Sequence, residues 1–159
     1  MKFFVIPTLA AALAIGCSRQ EPSGPKGAVP AKDGPTDARQ DQKGLAGTWK
    51  VVTIGGNGKA MPPEGIGDMK VTISGQQYTA SKSGRIIEQA TMTTDPSRQP
   101  KTIDLTFTQG EAKGQTLLGI YEVTGDTWRL ALSEPGKVRP TEIANRAGLR
   151  QDVWELRRD

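Results

Sequence analysis

The sequence predicts an all-β fold: a single small antiparallel up-and-down barrel of about eight strands over residues 45–158. Two observations carry this. Apolar and polar residues alternate through most of the region, which is the period of a strand with one buried face. Gly, Pro, Asn and Asp turn signals cut that pattern into eight short runs, and no good helix of ten or more residues interrupts them.

In the first run Trp49, Val51 and Thr53 share a face, with Lys50 and Val52 between them. Met69, Val71 and Ile73 alternate likewise with Lys70 and Thr72. Gln77–Lys82 and Arg85–Thr93 follow, separated by Ser83-Gly84. Ile103, Leu105 and Phe107 alternate with Thr102, Asp104 and Thr106 in the clearest half-buried strand. Gln115–Val123, Thr127–Ser133 and Asp152–Arg157 complete the set. Two of these, around Leu117–Val123 and Trp128–Leu132, are apolar enough to be buried on both faces. Gly119, inside one of them, marks a bend or a close backbone approach. Thr141–Ala147, between Pro140 and Gly148, reads as a short helix. Strands that each carry an apolar face must close over a common core. A barrel does so without exposed edges, and a β-sandwich is the alternative that alternation does not separate from it.

Residues 1–16 read as a lipoprotein signal peptide. Lys2 precedes a mostly apolar stretch, Phe3–Ile15, shorter than the roughly 20 residues a bilayer span needs. Ala14-Ile15-Gly16-Cys17 resembles a bacterial lipobox, in which the cysteine is acylated, with palmitate as a test label, and becomes the mature N terminus. That resemblance makes membrane lipid, through Cys17, the first expected partner. The resemblance to bacterial lipoproteins further implies, with Ser18 and not Asp after the cysteine, sorting to the outer membrane of the cell envelope. Residues 17–44 read as a disordered tether. After Cys17 they hold four Pro and four Gly, with no aromatic residue and no Ile, Leu or Met. Such a segment buries too little apolar area to offset its ordering entropy.

The chain of 159 residues has a formal net charge of +4, one cysteine and no histidine. Triads, Cys-His pairs, His-ligated zinc and disulfide scaffolds are therefore excluded. Residues 45–159 are nearly balanced, with 15 basic against 13 acidic residues, which with an exported address argues against nucleic acid. No Asp-x-Asp-x-Asp spacing suggests calcium. No cofactor, metal or catalytic pair is expected, and the chain reads as a non-enzyme.

The candidate ligand contacts are Tyr121, Arg129 and Arg139. Tyr121 is either core or a polar hook for a ligand. Arg129 faces solvent or enters the lumen, where it needs an anionic partner. Arg139 lies in Glu134–Gln151, a connection of 18 residues with Lys137, Arg139, Arg146 and Arg150. A connection that long in a compact domain needs a reason, and it reads as a lid over the barrel mouth or a plug in it. Asp104 is expected on the outer face, paired with Lys101 or a neighbouring strand. The expected function is binding of a small apolar or amphipathic molecule in the lumen or at its rim, with an envelope peptide or glycan as a further possible partner. The alternative is a structural or interaction module with a filled core.

Several stretches resemble the lipocalin-like bacterial domain family expanded in planctomycetes. They are Leu45–Val52, Asn57-Gly58-Lys59, Asp95-Pro96 with Pro100–Phe107, Gly119–Glu122 with Gly125-Asp126, and Pro135-Gly136 with Arg139–Glu142. The resemblance implies a lipocalin-like or calycin-like barrel, with no established ligand or enzyme activity. It also implies a structural base: Gly47 and Trp49 open the first strand, and a basic residue of the last strand, Arg157 or its neighbour Arg158, packs beside the tryptophan.

Overall fold

The computed structural model describes residue 41 and residues 43–159. The strands are β1 (Gly47–Gly56), β2 (Lys59–Ala60), β3 (Lys70–Ser74), β4 (Gln77–Lys82), β5 (Arg85–Asp95), β6 (Lys101–Gln109), β7 (Thr116–Thr124), β8 (Thr127–Ser133) and β9 (Gln151–Arg158). One short helix, α1 (Pro63–Ile66), lies between β2 and β3. Each strand pairs antiparallel with its neighbour and β9 returns to β1, so eight strands close a ring while the two-residue β2 rides on the end of β1. All eight expected runs form this ring. The closure excludes the sandwich.

The register defines two ends. The base carries the start of β1, the end of β9 and the β3–β4, β5–β6 and β7–β8 connections. Just before β1, residue 41 and residues 43–45 are helical, and Leu45 is fully buried. Alternation sends Trp49, Val71, Met92, Ile103, Leu105, Trp128 and Leu156 inward, and none is more than 1% exposed. Trp49 and Trp128 meet edge to face with ring centres 5.6 Å apart, an arrangement contributing ~0.5–1.5 kcal/mol beyond area burial. Tyr78 and Phe107 form a second such pair at 6.3 Å. Barrels of eight strands either fill with side chains or hold one small ligand. Here large side chains meet across the middle.

Three local readings need correction. Thr53 is exposed, not inward with Trp49 and Val51. The register slips between Val51 and Thr53; this bulge adds a residue and hands the inward position to Ile54. Thr141–Ala147 is irregular, not helical. The Gln151 side chain donates to the carbonyls of Glu142 and Ala144, and Asn145 reaches across to Gly58 N and Lys59 O. Those contacts hold the stretch to the barrel in place of helical turns.

The third concerns the long β8–β9 connection: the bonds from Arg139 to backbone carbonyls expected of a plug do form, but on the barrel wall instead of in its end. It runs along the outer wall, where Arg139 bonds the mid-strand carbonyls of Ile103 and Gly119. Ile120 and Ala131, register partners on the outer face of β7 and β8, are 1% and 0% exposed. This outer cover explains why both strands are apolar on two faces. A strap on the wall buries that area without displacing the core.

Candidate functional site

Two groups of functional candidates gather near the base. In the first, Trp49 donates its indole N–H to Leu45 O at 2.8 Å. The Arg158 guanidinium lies over the Trp49 ring, 4.3 Å from its centre. It also donates to Ala46 O at 3.0 Å and Gly44 O at 2.7 Å. Arg158, not Arg157, is therefore the basic partner of Trp49. Leu156 points inward, so the residue two positions on shares its side, whereas Arg157 faces solvent. Gly47 is needed here: its φ is +118°, and a Cβ would come within 3.1 Å of the Arg158 guanidinium. Arg158 thus clamps the segment preceding β1 across the barrel base.

The second group centres on Tyr121. Its register partners place Lys101 and Leu130 on the same side of the sheet. Thr94 is paired with the inward Ile103, so the Thr94 hydroxyl, the Lys101 ammonium and the Tyr121 hydroxyl converge at the base. Asp41 closes this group. Its carboxylate accepts from Lys101 Nζ at 2.6 Å and from the Tyr121 hydroxyl. Burial, and then the Asp41 carboxylate, push the Tyr121 pKa well above the ordinary range, so the hydroxyl stays protonated and donates. Asp41 falls within the stretch read from sequence as tether, yet its side chain is only 20% exposed.

Tyr121 and Lys101 also line a cleft of about 420 Å³ at the rim. Pro100, Ile120, Val123 and Ile143 form its apolar wall, and Arg98, Glu122, Arg129 and Glu142 its charged margin. Arg129 is on the outer surface, not in the lumen. It pairs with its cross-strand neighbour Glu122 at 2.7 Å and lies 3.9 Å from Glu155. Exposed pairs of this kind contribute little stability but leave a locally neutral polar margin.

Arg139 does not join the cleft. Its guanidinium sits 2.6 Å from Asp104 on the outer face and binds two strand carbonyls. Asp104 is outward as expected, but its partner comes from the strap instead of Lys101. The structure thus brings Tyr121 and Arg129 to one cleft and gives Arg139 a holding role. Sequence reading missed Lys101 and Asp41 as members of the site. Lys101 had a usable signal, since it keeps step with Ile103, Leu105 and Phe107 and must share their face.

Cys17 lies outside the described residues. Among the described residues no helix is long and apolar enough to cross a membrane, and no three or more Cys, Asp or Glu side chains gather as a metal site. Fold and site together define a small closed antiparallel β-barrel with a packed centre and an amphipathic rim cleft. Among known proteins, no family model matches the chain and no curated protein matches it.

Proposed function

We propose that the protein is a non-catalytic, lipid-anchored protein of the cell envelope that binds a small amphipathic molecule in the rim cleft. The observation that carries the reading is a cleft of about 420 Å³, bordered by both Tyr121 and Arg129, with an apolar wall of Ile120, Val123 and Ile143. Small-molecule sites pair an apolar lining with a few oriented polar groups at about this volume. The packed barrel centre favours the rim over the lumen as the place of binding. The absence of histidine from the whole sequence supports a binding role over acid–base chemistry near neutral pH. The lipobox at Cys17 supports anchoring by acyl chains, each buried methylene contributing ~0.8 kcal/mol.

A second reading, an interaction module whose barrel is purely structural, draws on the same packed core. Native mass spectrometry of the full chain, extracted with its membrane in mild detergent, separates the two. Binding predicts a retained small molecule that Ile143→Asp releases. A bare mass, together with no shift of Ile143 or Val123 NMR signals on adding dodecanoate, rejects the rim-ligand reading. Labelled palmitate should be incorporated by the wild type and not by Cys17→Ser; equal labelling of both would end the anchor assignment.

A further inference from the structure

Two residues that border the rim cleft, Lys101 and Tyr121, already hold a carboxylate, and it belongs to the chain itself. Asp41 sits on Lys101 Nζ at 2.6 Å and on the Tyr121 hydroxyl. Both partners are also among the residues that border the cleft. The Tyr121 side chain is almost wholly buried, and beside it lies the buried Thr94 hydroxyl, which has no other hydrogen-bond partner among the described residues. A protonated phenol, an ammonium and a neighbouring hydroxyl form a donor-rich pocket that suits a carboxylate. From there the apolar wall of Pro100, Val123 and Ile143 leads away along the cleft.

We propose that Lys101, Tyr121 and Thr94 form a carboxylate-recognition site that Asp41 occupies in cis, so that an amphipathic carboxylate ligand in the cleft and the docked segment before β1 exclude one another. The ligand's carboxylate replaces Asp41, and its alkyl portion lies against Val123 and Ile143. Binding therefore releases the chain at residue 41, while the Arg158 clamp still holds Gly44 and Ala46 to the barrel. The apparent affinity of the wild type is lowered by the fraction of molecules in which Asp41 is docked. This inference rests on the rim-cleft reading given above.

Dodecanoate is the probe, with dodecanol as the uncharged control, titrated by NMR into the full chain in detergent below its critical concentration. Asp41→Asn should bind dodecanoate at least about fivefold more tightly than the wild type and dodecanol equally. Lys101→Met should remove the preference for dodecanoate over dodecanol. In the wild type, dodecanoate should accelerate amide exchange at Lys43, on the released side of the clamp. Dodecanoate binding in the cleft with equal affinity for wild type and Asp41→Asn, and with unchanged exchange at Lys43, overturns the competition and leaves the cleft reading standing. Absence of binding by either probe to any variant overturns both. An intact β-sheet NMR fingerprint in Asp41→Asn excludes unfolding as the cause.

Discussion

The guanidinium of Arg158 lies 4.3 Å from the centre of the Trp49 ring, while the indole N–H of that ring bonds Leu45 O. First and last strands are thus joined by a stacked cation as well as by their ladder. A cation over tryptophan contributes ~0.5–2 kcal/mol, and each charged bond to a carbonyl of the preceding segment adds a further increment. Arg158→Met is expected to cost about 2–3 kcal/mol in urea unfolding. Arg157→Met should stay within about 0.5 kcal/mol, as an exposed position does. Equal losses for the two variants would refute the clamp.

Arg139 pins the strap to the outer wall through two strand carbonyls and Asp104. Arg139→Ala should cost about 2 kcal/mol. It should also speed amide exchange at Ile120 and Ala131, which the strap covers. Asp104→Asn should cost less, because the carbonyl bonds persist. Unchanged exchange on β7 and β8 in Arg139→Ala would show that the strap is held by other contacts.

Gly119 admits no larger residue. A Cβ there would lie 2.6 Å from Leu132 Cδ2 and 2.7 Å from Ala131 O. The side chain can turn away but the carbonyl cannot, so overpacking should cost about 1–3 kcal/mol. Gly119→Ala is expected to lower the urea midpoint without changing the slope; a wild-type midpoint would contradict the close approach.

Two carboxylates make stability depend on pH in opposite senses. Asp68 accepts from the Ser83 backbone and hydroxyl, and the backbone bond, the leading cause, lowers its pKa from the ordinary 3.8. Its contribution is complete above that ordinary value and is lost as pH falls through the lower folded value. Asp68→Ala should therefore melt below wild type at pH 6, with the gap closing near pH 2. Glu88 is half-buried near Glu111, and burial first, then that charge, raises its pKa above 4.5. Its ionised form opposes folding, so Glu88→Gln should melt above wild type at neutral pH, and the gain should vanish below 4.5. Thermal melts of both variants from pH 2 to 7 test the two signs.

The contrast between the indoles of Trp49 and Trp128 gives a further expectation. The Trp49 N–H has Leu45 O as its acceptor, whereas the Trp128 Nε1 is buried with no partner among the described residues. Trp49→Phe should lose about 1 kcal/mol more than Trp128→Phe, the net worth of one hydrogen bond. Chemical denaturation of both variants measures the difference.

The strands were readable because alternation reports directly which side chains meet in the core, and Ile103, Leu105 and Phe107 show it without ambiguity. Alternation fails where the backbone adds a residue. The bulge at Val52 moves the inward position from Thr53 to Ile54, and no residue type in that run announces it. The strap was the larger miss. Period says which face of a strand is apolar but not which neighbour covers it, and Ile120 with Ala131 held the clue. Arg158 could have been chosen over Arg157 by counting from Leu156. Asp41 had no such signal, because a carboxylate among polar and charged neighbours looks the same in sequence whether it is solvated or docked.

Because β1 is laced along its length to β9, the ring has a seam between residues about a hundred positions apart in sequence. During synthesis β1 must wait with one flank unpaired until β9 arrives. Folding should accordingly be slow for a protein of this size, and the waiting edge is where two nascent copies would exchange strands.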